Sequence, residues 1–518
     1  MTDVPQDDRL TNRLLRFVDQ HRRFVFAVIV LVYLAGFNGQ WRVNSDSALY
    51  AAIAKNLATG HGYTYLGQLD RIVEPGLPWT IALGFHLFGV GNFVLPTLVI
   101  LAAALGSLAL VHQLFRLHAG RPTAVMVVLL TALADRVYTL AFELFTDMPF
   151  FFGVMLTLVG YERLVRDDGD HAVTRDTRRP WPWVAVTAGL LVMNVYRATA
   201  LTFMGALAVA IVWHLLRRRQ VRRHLIMGGI MVAVVLGLRL IDPRRQHVDQ
   251  PIVREALLGS LLTDRLAWAL HRTFFDFLPM LTGETAIEAV LSFRIAPGIN
   301  HLFSLGVVAI GLWLAMRRRV LWGLWVLATL AQMLVWLPRE RYFLPILPLL
   351  LYGIWSALAW ANHRWPVRRT NVVVALALVL LLVPNLVKVV RHVVMQRRTP
   401  FYEHLAKGRV LRVMEAAKQI NAVARPDDLI IADDDRELSY FSDRRVIAPV
   451  FSRRIPPSPR EMDAYRAQLA AAPRLLIVLP GEQTQRVIEA FNLRVGEPLF
   501  DRNGLVVHPA AVPENPNP

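Results

Sequence analysis

Two acids stand beside long apolar runs of this chain. Asp46 lies in "NSDSALYAAIAKNLATGHG", residues 44 to 62, directly after the first such run, and Asp147 lies in "FELFTDMPFFF", at the head of another. An ionisable side chain turned inward at a spanning segment is costly and by default marks a site. Cations accompany them: Arg197 in "MNVYRATALTF", and Arg339 and Arg341 in "LPRERYFLP", followed by Tyr342. A guanidinium presents a planar fork that suits phosphate oxygens, so the group suggests an anionic ligand. Taken as a helix from Asp46, positions 46, 50, 53 and 57 share a face, which aligns Asp46 with Tyr50 and turns Lys55 the opposite way, toward lipid headgroups. Arg71 and Glu74 in "LDRIVEPGLP" are candidates from the same loop, and Glu143 is an alternative to Asp147. Plainer roles stand beside these. Ser45 or Asp46 suits a helix cap, Thr146 could cap a helix begun by Asp147, and single arginines at an interface often snorkel.

The elements that must hold these residues follow from composition. The chain has 518 residues, 55% of them hydrophobic, with mean hydropathy +0.39 and its charges gathered between apolar runs. That is a polytopic membrane protein. The net charge of +18 would suggest nucleic acid in a soluble protein. Here it sits in tight loops such as "RRRQVRR" and "MRRRV", which the positive-inside rule explains, so no nucleic-acid partner is expected. There is no cysteine, hence neither a disulfide nor a thiolate metal site.

A span needs roughly 20 apolar residues. Candidates are 24–41, 93–115, 122–140, 147–164, 181–197, 199–216, 224–241, 301–316, 320–337, 342–360 and 370–389, about eleven in all. The shorter piece 75–90 either crosses or lies along the interface. If it lies flat, every tight arginine-rich loop shares the side of the N-terminal tail. If it crosses, those loops change sides and the charge bias fails. The flat choice puts residues 1–23 in the cytoplasm, 24–390 in a transmembrane domain, and loops 42–92 and 242–300 outside. Both acids then fall on the external face. After about residue 390 the pattern alternates helix and strand, which reads as a small extracytoplasmic α/β domain over 391–510, followed by a disordered tail, 511–518.

Other motifs are weaker. Asp135 and Arg136 read as a structural ion pair with each other. The run Asp433, Asp434, Asp435 reads better as a solvated loop than as a metal site. His61, His86 and His271 form no metal-ligand spacing, and no Walker loop or dinucleotide fingerprint is present.

Three stretches carry a family likeness: "DSALYAAIAKNLATGHGYTY" followed by "EPGLPW", then "FELFTDMPFFFGVML", then "RERYFLPILPLLL". In these and in its general plan the chain resembles the GT-C membrane glycosyltransferases, in the branch of the protein O-mannosyltransferases and the lipid A aminoarabinose transferase. The expected fold class is therefore mainly α, a GT-C-like polytopic helical protein with a C-terminal α/β domain. The resemblance implies transfer of a sugar, with inversion, from a polyprenyl-phosphate carrier to an external glycolipid, polysaccharide or protein acceptor, at a bacterial inner membrane. By position, Asp46 matches the acid held to act as general base and Asp147 the second acid, which organises the site or a metal. Arg341 and Tyr342 match the motif that contacts donor phosphate. A carboxylate within hydrogen-bond reach can take the acceptor proton, and arginine stabilises a phosphate leaving group. The histidine-rich metal pattern of some relatives is missing, so a divalent metal stays open with no ligand assigned. An exporter would show internal pseudo-symmetry, which is not evident. In a non-catalytic assembly subunit the two acids would be mere caps.

Overall fold

The computed structural model describes residues 9–70, 73–165, 180–241, 320–335, 340–365, 367–398, 409–450, 459–479, 482–502 and 505–512, with the single positions 309 and 313. The expected span 301–316, the loop 242–300 and the tail 513–518 fall mostly or wholly outside these residues, as do Arg71 and Arg339. The chain forms two compact units. One comprises 1–38, 74–76 and 97–397, and the other 39–73, 77–96 and 398–518.

The first unit is helical. α1 (Leu10–Gln20) and α2 (Arg22–Gly36) open it. α3 (Ser45–Ala58) and α4 (Gly76–Phe88) follow in the chain, and these belong almost entirely to the second unit. The first unit continues with α5 (Val94–Ala119), α6 (Arg121–Leu133), α7 (Asp135–Leu140), α8 (Asp147–Val165), α9 (Trp181–Tyr196), α10 (Ala200–Leu216) and α11 (Val221–Ile241). α12 (Val320–Val335), α13 (Leu347–Arg364) and α14 (Val367–Arg398) complete it. Among the described residues, five helices are long and apolar enough to cross a membrane, and further apolar helices of 10–17 residues accompany them. α14 leaves Val372, Val373, Leu376, Val379, Leu380 and Val383 exposed, an apolar face that suits lipid and not water. The chain is a multi-pass helical membrane protein.

Two expected spans are built differently. The stretch 122–140 is broken, because Ala134 turns extended (φ −59°, ψ 121°) between α6 and α7. The break frees the Asp135 amide, which donates to Asn385 Oδ1 on α14 at 3.0 Å. The Asp135 carboxylate meets Lys388 Nζ at 3.6 Å and His392 Nε2 at 3.3 Å. Asp135 thus meets partners far away in sequence besides its expected neighbour Arg136. The stretch 342–360 begins as a 3-10 helix, Glu340–Ile346, containing Pro345. Proline lacks the amide that a continuous α-helix would need there.

α8 and α9 are the most extensively packed helix pair among the described residues. Their contact runs over small residues: a Cβ on Gly153 would lie 2.9 Å from the Gly189 carbonyl, and one on Gly160 would lie 2.8 Å from the Pro182 carbonyl. Small residues let helix backbones approach, which is how helices associate where solvent supplies no hydrophobic drive.

The second unit has an α/β core. Its helices are α15 (Arg409–Val423), α16 (Asp435–Ser442), α17 (Pro459–Ala470) and α18 (Glu482–Ala490). A two-stranded piece, β1 (Thr64–Tyr65) with β2 (Gln68–Leu69), precedes a six-stranded sheet of β3 (Leu429–Ile431), β4 (Arg445–Ile447), β5 (Leu475–Leu479), β6 (Arg494–Val495), β7 (Phe500–Arg502) and β8 (Leu505–Ala511). The order is β4-β3-β5-β8-β6, with β7 also on β8. The β4-β3-β5 part is parallel and β8 runs antiparallel to its neighbours. Side chains alternate across a strand. Ile430, Leu476 and Val478 therefore pack with Ile420 and Leu438 on one face, and Leu429, Ile431, Leu475 and Ile477 pack with Leu469 and Val487 on the other.

This unit also takes in the first loop. α3 packs on α16. Trp41, 2% exposed, meets Tyr440 and Phe441 of α16 and Phe93, and its indole N–H donates to Ser47. Lys55 is accordingly no lipid anchor: its Nζ lies 2.6 Å from Asp443. On α4, Leu77, Ile81 and Phe85 are buried while Trp79, Leu83 and Leu87 are exposed. At 1.5 Å per residue, its 13 residues rise about 20 Å, short of the ~30 Å needed to cross.

Candidate active site

Asp147 is the first residue of α8 and Arg197 follows the last residue of α9. Antiparallel packing of the two helices brings these ends together. The Arg197 Nη1 donates to Asp147 Oδ1, and Arg341 Nη1 on the 3-10 turn stands 4.0 Å from Asp147 Oδ2. Asp147 is 2% exposed. A carboxylate taken this far from water needs such partners. With two guanidiniums on one carboxylate, these three side chains carry one positive charge in excess.

Aromatic rings fix the guanidiniums. Arg197 lies over the Tyr342 ring at 4.7 Å and near that of Phe150 at 5.8 Å, and Arg341 lies over the Phe145 ring at 4.5 Å. Cations are held this way by ring faces within about 6 Å. A small cleft opens beside them, lined by Phe150, Arg197, Thr199, Trp325, Thr329, Gln332, Arg341, Tyr342 and Pro345. The Trp325 indole nitrogen is buried with no hydrogen-bond partner among the described residues. The cleft thus combines cations, an indole donor and apolar walls, and its two guanidiniums suit an anionic group at its edge.

Three of the sequence candidates, Arg197, Arg341 and Tyr342, therefore meet around Asp147. Glu74 lies in the same unit just before α4, but does not line the cleft. Trp325, Thr329 and Gln332 are additions from α12; Thr329 and Gln332, polar and three residues apart in an otherwise apolar helix, are the signal that could have found them.

Asp46 and Tyr50 lie on α3, in the second unit. Neither Ser45 nor Asp46 caps that helix. The cap is Asn44, whose side chain accepts from the Ser47 amide while the Ser47 hydroxyl accepts from the Asn44 amide. Asp46 instead accepts from Arg436 Nη1 at 2.9 Å. Arg436 is on α16, just after the acidic run. Of that run, Asp433 accepts from the Thr484 amide and hydroxyl at 3.1 and 2.7 Å, and Asp434 stands at the N-cap position of α16. Burial pushes the Asp435 carboxyl up to about 6. The run is thus a partly solvated turn at the start of α16, tied to α18 through Asp433. Burial also pushes the phenol of Tyr65 up, with Asp435 and Arg436 among its charged neighbours.

Among the described residues no three His, Asp or Glu side chains converge as a metal-ligand set. Two guanidiniums already meet Asp147, so no step below runs through a metal.

Residues 73–240 match the family model of dolichyl-phosphate-mannose-protein mannosyltransferase, about a third of the chain. Similar solved structures cover nearly all of it. ArnT from Cupriavidus metallidurans in the apo state is 16% identical, with TM-score 0.54, over 95% of this chain and 98% of that one. The same protein bound to undecaprenyl phosphate gives 16% and 0.53 over 94% and 97%. The chain has the GT-C fold. The archaeal oligosaccharyltransferase AglB from Archaeoglobus fulgidus, in complex with an inhibitory peptide and a dolichol-phosphate, is 12% identical with TM-score 0.50, over 88% of this chain and 69% of that one. A comparison with curated proteins gives no match.

Proposed function

We propose that the protein is an inverting glycosyltransferase that moves a sugar from a polyprenyl-phosphate carrier to an acceptor outside the membrane. The observation that carries this reading is the buried Asp147 between Arg197 and Arg341, at the edge of a cleft that offers cationic donors. The GT-C fold, and the polyprenyl phosphates named with ArnT and AglB, support a lipid phosphate as the group held there.

Asp46 takes the proton of the acceptor hydroxyl. The acceptor oxygen then forms its bond to the anomeric carbon from the face opposite the phosphate, and the carbon–oxygen bond to the phosphate breaks. The lipid phosphate leaves with the electron pair. It is a weakly basic leaving group that needs positive charge more than a proton, and Arg197 and Arg341 supply that charge in a site partly shielded from water. Asp147 holds the two arginines in register and Tyr342 stacks on Arg197. Tyr50, Arg71, Glu74 and Arg339 complete the candidate binding residues, from their spacing and position in the sequence. The arginine-rich loops support an N-terminus in the cytoplasm of a bacterial inner membrane, with the α/β unit outside.

The test is a lipid extract. A strain lacking the chain is expected to accumulate one polyprenyl-phosphate sugar, which the wild-type chain clears. Asp46→Asn should leave it accumulated at normal protein abundance, and Asp147→Asn should clear it only slowly. A deletion strain with an unchanged polyprenyl-phosphate pool would sink the reading.

A further inference from the structure

Asp46 is not left to solvent. Arg436, 390 residues away on the first turn of α16, donates from Nη1 to Asp46 Oδ1 at 2.9 Å. The pair is partly sheltered, with side-chain exposures of 36% for Arg436 and 23% for Asp46. The frame around it is tied at several points. Asn44 and Ser47 cap α3 reciprocally, the indole of Trp41 ties Ser47 to Tyr440 and Phe441 of α16, and Lys55 and Asp443 close the far end of the same helix contact.

We infer that Arg436 is the positioning residue of the acceptor base: the α/β unit reaches back through α16 to hold the Asp46 carboxylate ionised and in a fixed rotamer. The inference rests on the assignment of Asp46 as that base. A base must be both deprotonated and aimed before it is useful, and an opposite charge at hydrogen-bond distance favours the ionised form. A carboxylate has about four lone-pair sites, so the N–H of Arg436 occupies only part of its capacity to take a proton. The elements packed here carry other charged or titratable groups: Tyr50 and Lys55 on α3, Tyr65 on β1, Asp435, Glu437, Tyr440, Asp443 and Arg444 on or next to α16, Arg445 on β4, and Arg412, Glu415 and Lys418 on α15. Arg436 is joined to Asp46 by a direct hydrogen bond.

The test uses the purified full-length chain acting on the polyprenyl-phosphate sugar extracted from membranes of the deletion strain, with those membranes as the acceptor source. Arg436→Gln is expected to lower kcat roughly 10-fold or more while leaving the donor KM unchanged, and to move the acid limb of the rate profile to higher pH. Arg436→Lys should restore most of kcat and the original limb, because a single N–H to one carboxylate oxygen does not demand the bidentate fork of arginine. In an Asp46→Asn background, Arg436→Gln should cost nothing further. Asp443→Asn, which loosens the same helix contact without touching Asp46, should retain wild-type kcat and profile. Two results overturn the positioning role while leaving the base assignment intact: a wild-type profile in Arg436→Gln alongside an inactive Asp46→Asn, or an equal loss of kcat in Asp443→Asn. A fully active Asp46→Asn removes the base assignment itself.

Discussion

Asp147 and Arg197 close the same end of two antiparallel helices, and their ion pair is as much a consequence of how α8 meets α9 as of their own charges. Removing one partner from a buried pair leaves an uncompensated charge and typically costs about 3–5 kcal/mol. Arg197→Met is therefore expected to destabilise the chain strongly. The double variant Asp147→Asn/Arg197→Met should regain most of the lost melting temperature in detergent, since both charges are gone. Neither variant should regain turnover, because the cleft has lost a cation as well as its organiser. A double variant as unstable as the single one would show that the pair is not the cause.

The glycine seam sets that geometry. A Cβ on Gly189 would lie 2.6 Å from the Gly153 carbonyl and 2.8 Å from the Thr157 amide nitrogen, both backbone atoms that cannot swing aside. Gly189→Ala should push α8 from α9, cost about 1–3 kcal/mol of overpacking, and lower turnover by displacing Asp147 from Arg197. Gly205→Ala on α10, where a Cβ meets nothing within 4 Å, is the control. It should keep full activity and melt no lower than wild type, as the helix preference for Ala over Gly predicts. Melting curves and donor clearance of the two variants together check the point.

The sequence makes the helices legible because apolar runs and arginine clusters are physical requirements of a bilayer, and it makes Asp147, Arg197, Arg341 and Tyr342 legible because each falls at the end of such a run. What it hides is set by contacts between distant segments. Asp135 finds Lys388 and His392, Lys55 finds Asp443, and Asp46 finds Arg436. No periodicity within a single element records these partners. The α3 cap was misplaced for a local reason: Asn44, Ser45 and Asp46 are all good caps, and only the Ser47 hydroxyl returning to the Asn44 amide decides among them.

Orientation is testable with one residue, because the chain has no cysteine. His61 is exposed on the turn after α3, and it avoids the left-handed backbone of Gly60 (φ +84°), where a side chain would be strained. His61→Cys should react with a membrane-impermeant maleimide added outside intact spheroplasts. Reaction only after the membrane is opened would reverse the map and place α3 in the cytoplasm.

Asp435 supplies a pH signature of the α/β unit. Its ordinary value is 3.8, and burial raises it in the folded chain to about 6, with Arg436 opposing the rise. A carboxyl that binds its proton more tightly when folded favours the fold fully below the unfolded value, and loses that contribution as pH climbs through the folded one. At neutral pH the ionised Asp435 is therefore a burden on the order of 1–3 kcal/mol, the lower end being apt for a half-buried group. Asp435→Asn removes the charge and keeps the shape. It should raise the melting temperature at pH near 7.5 by roughly 2–5 °C, and the gain should shrink as pH falls through about 6 and vanish only below the unfolded value of 3.8. Thermal melts of the full-length chain across that window decide it. A gain that is the same at both ends would mean that packing, and not the buried charge, separates the two proteins.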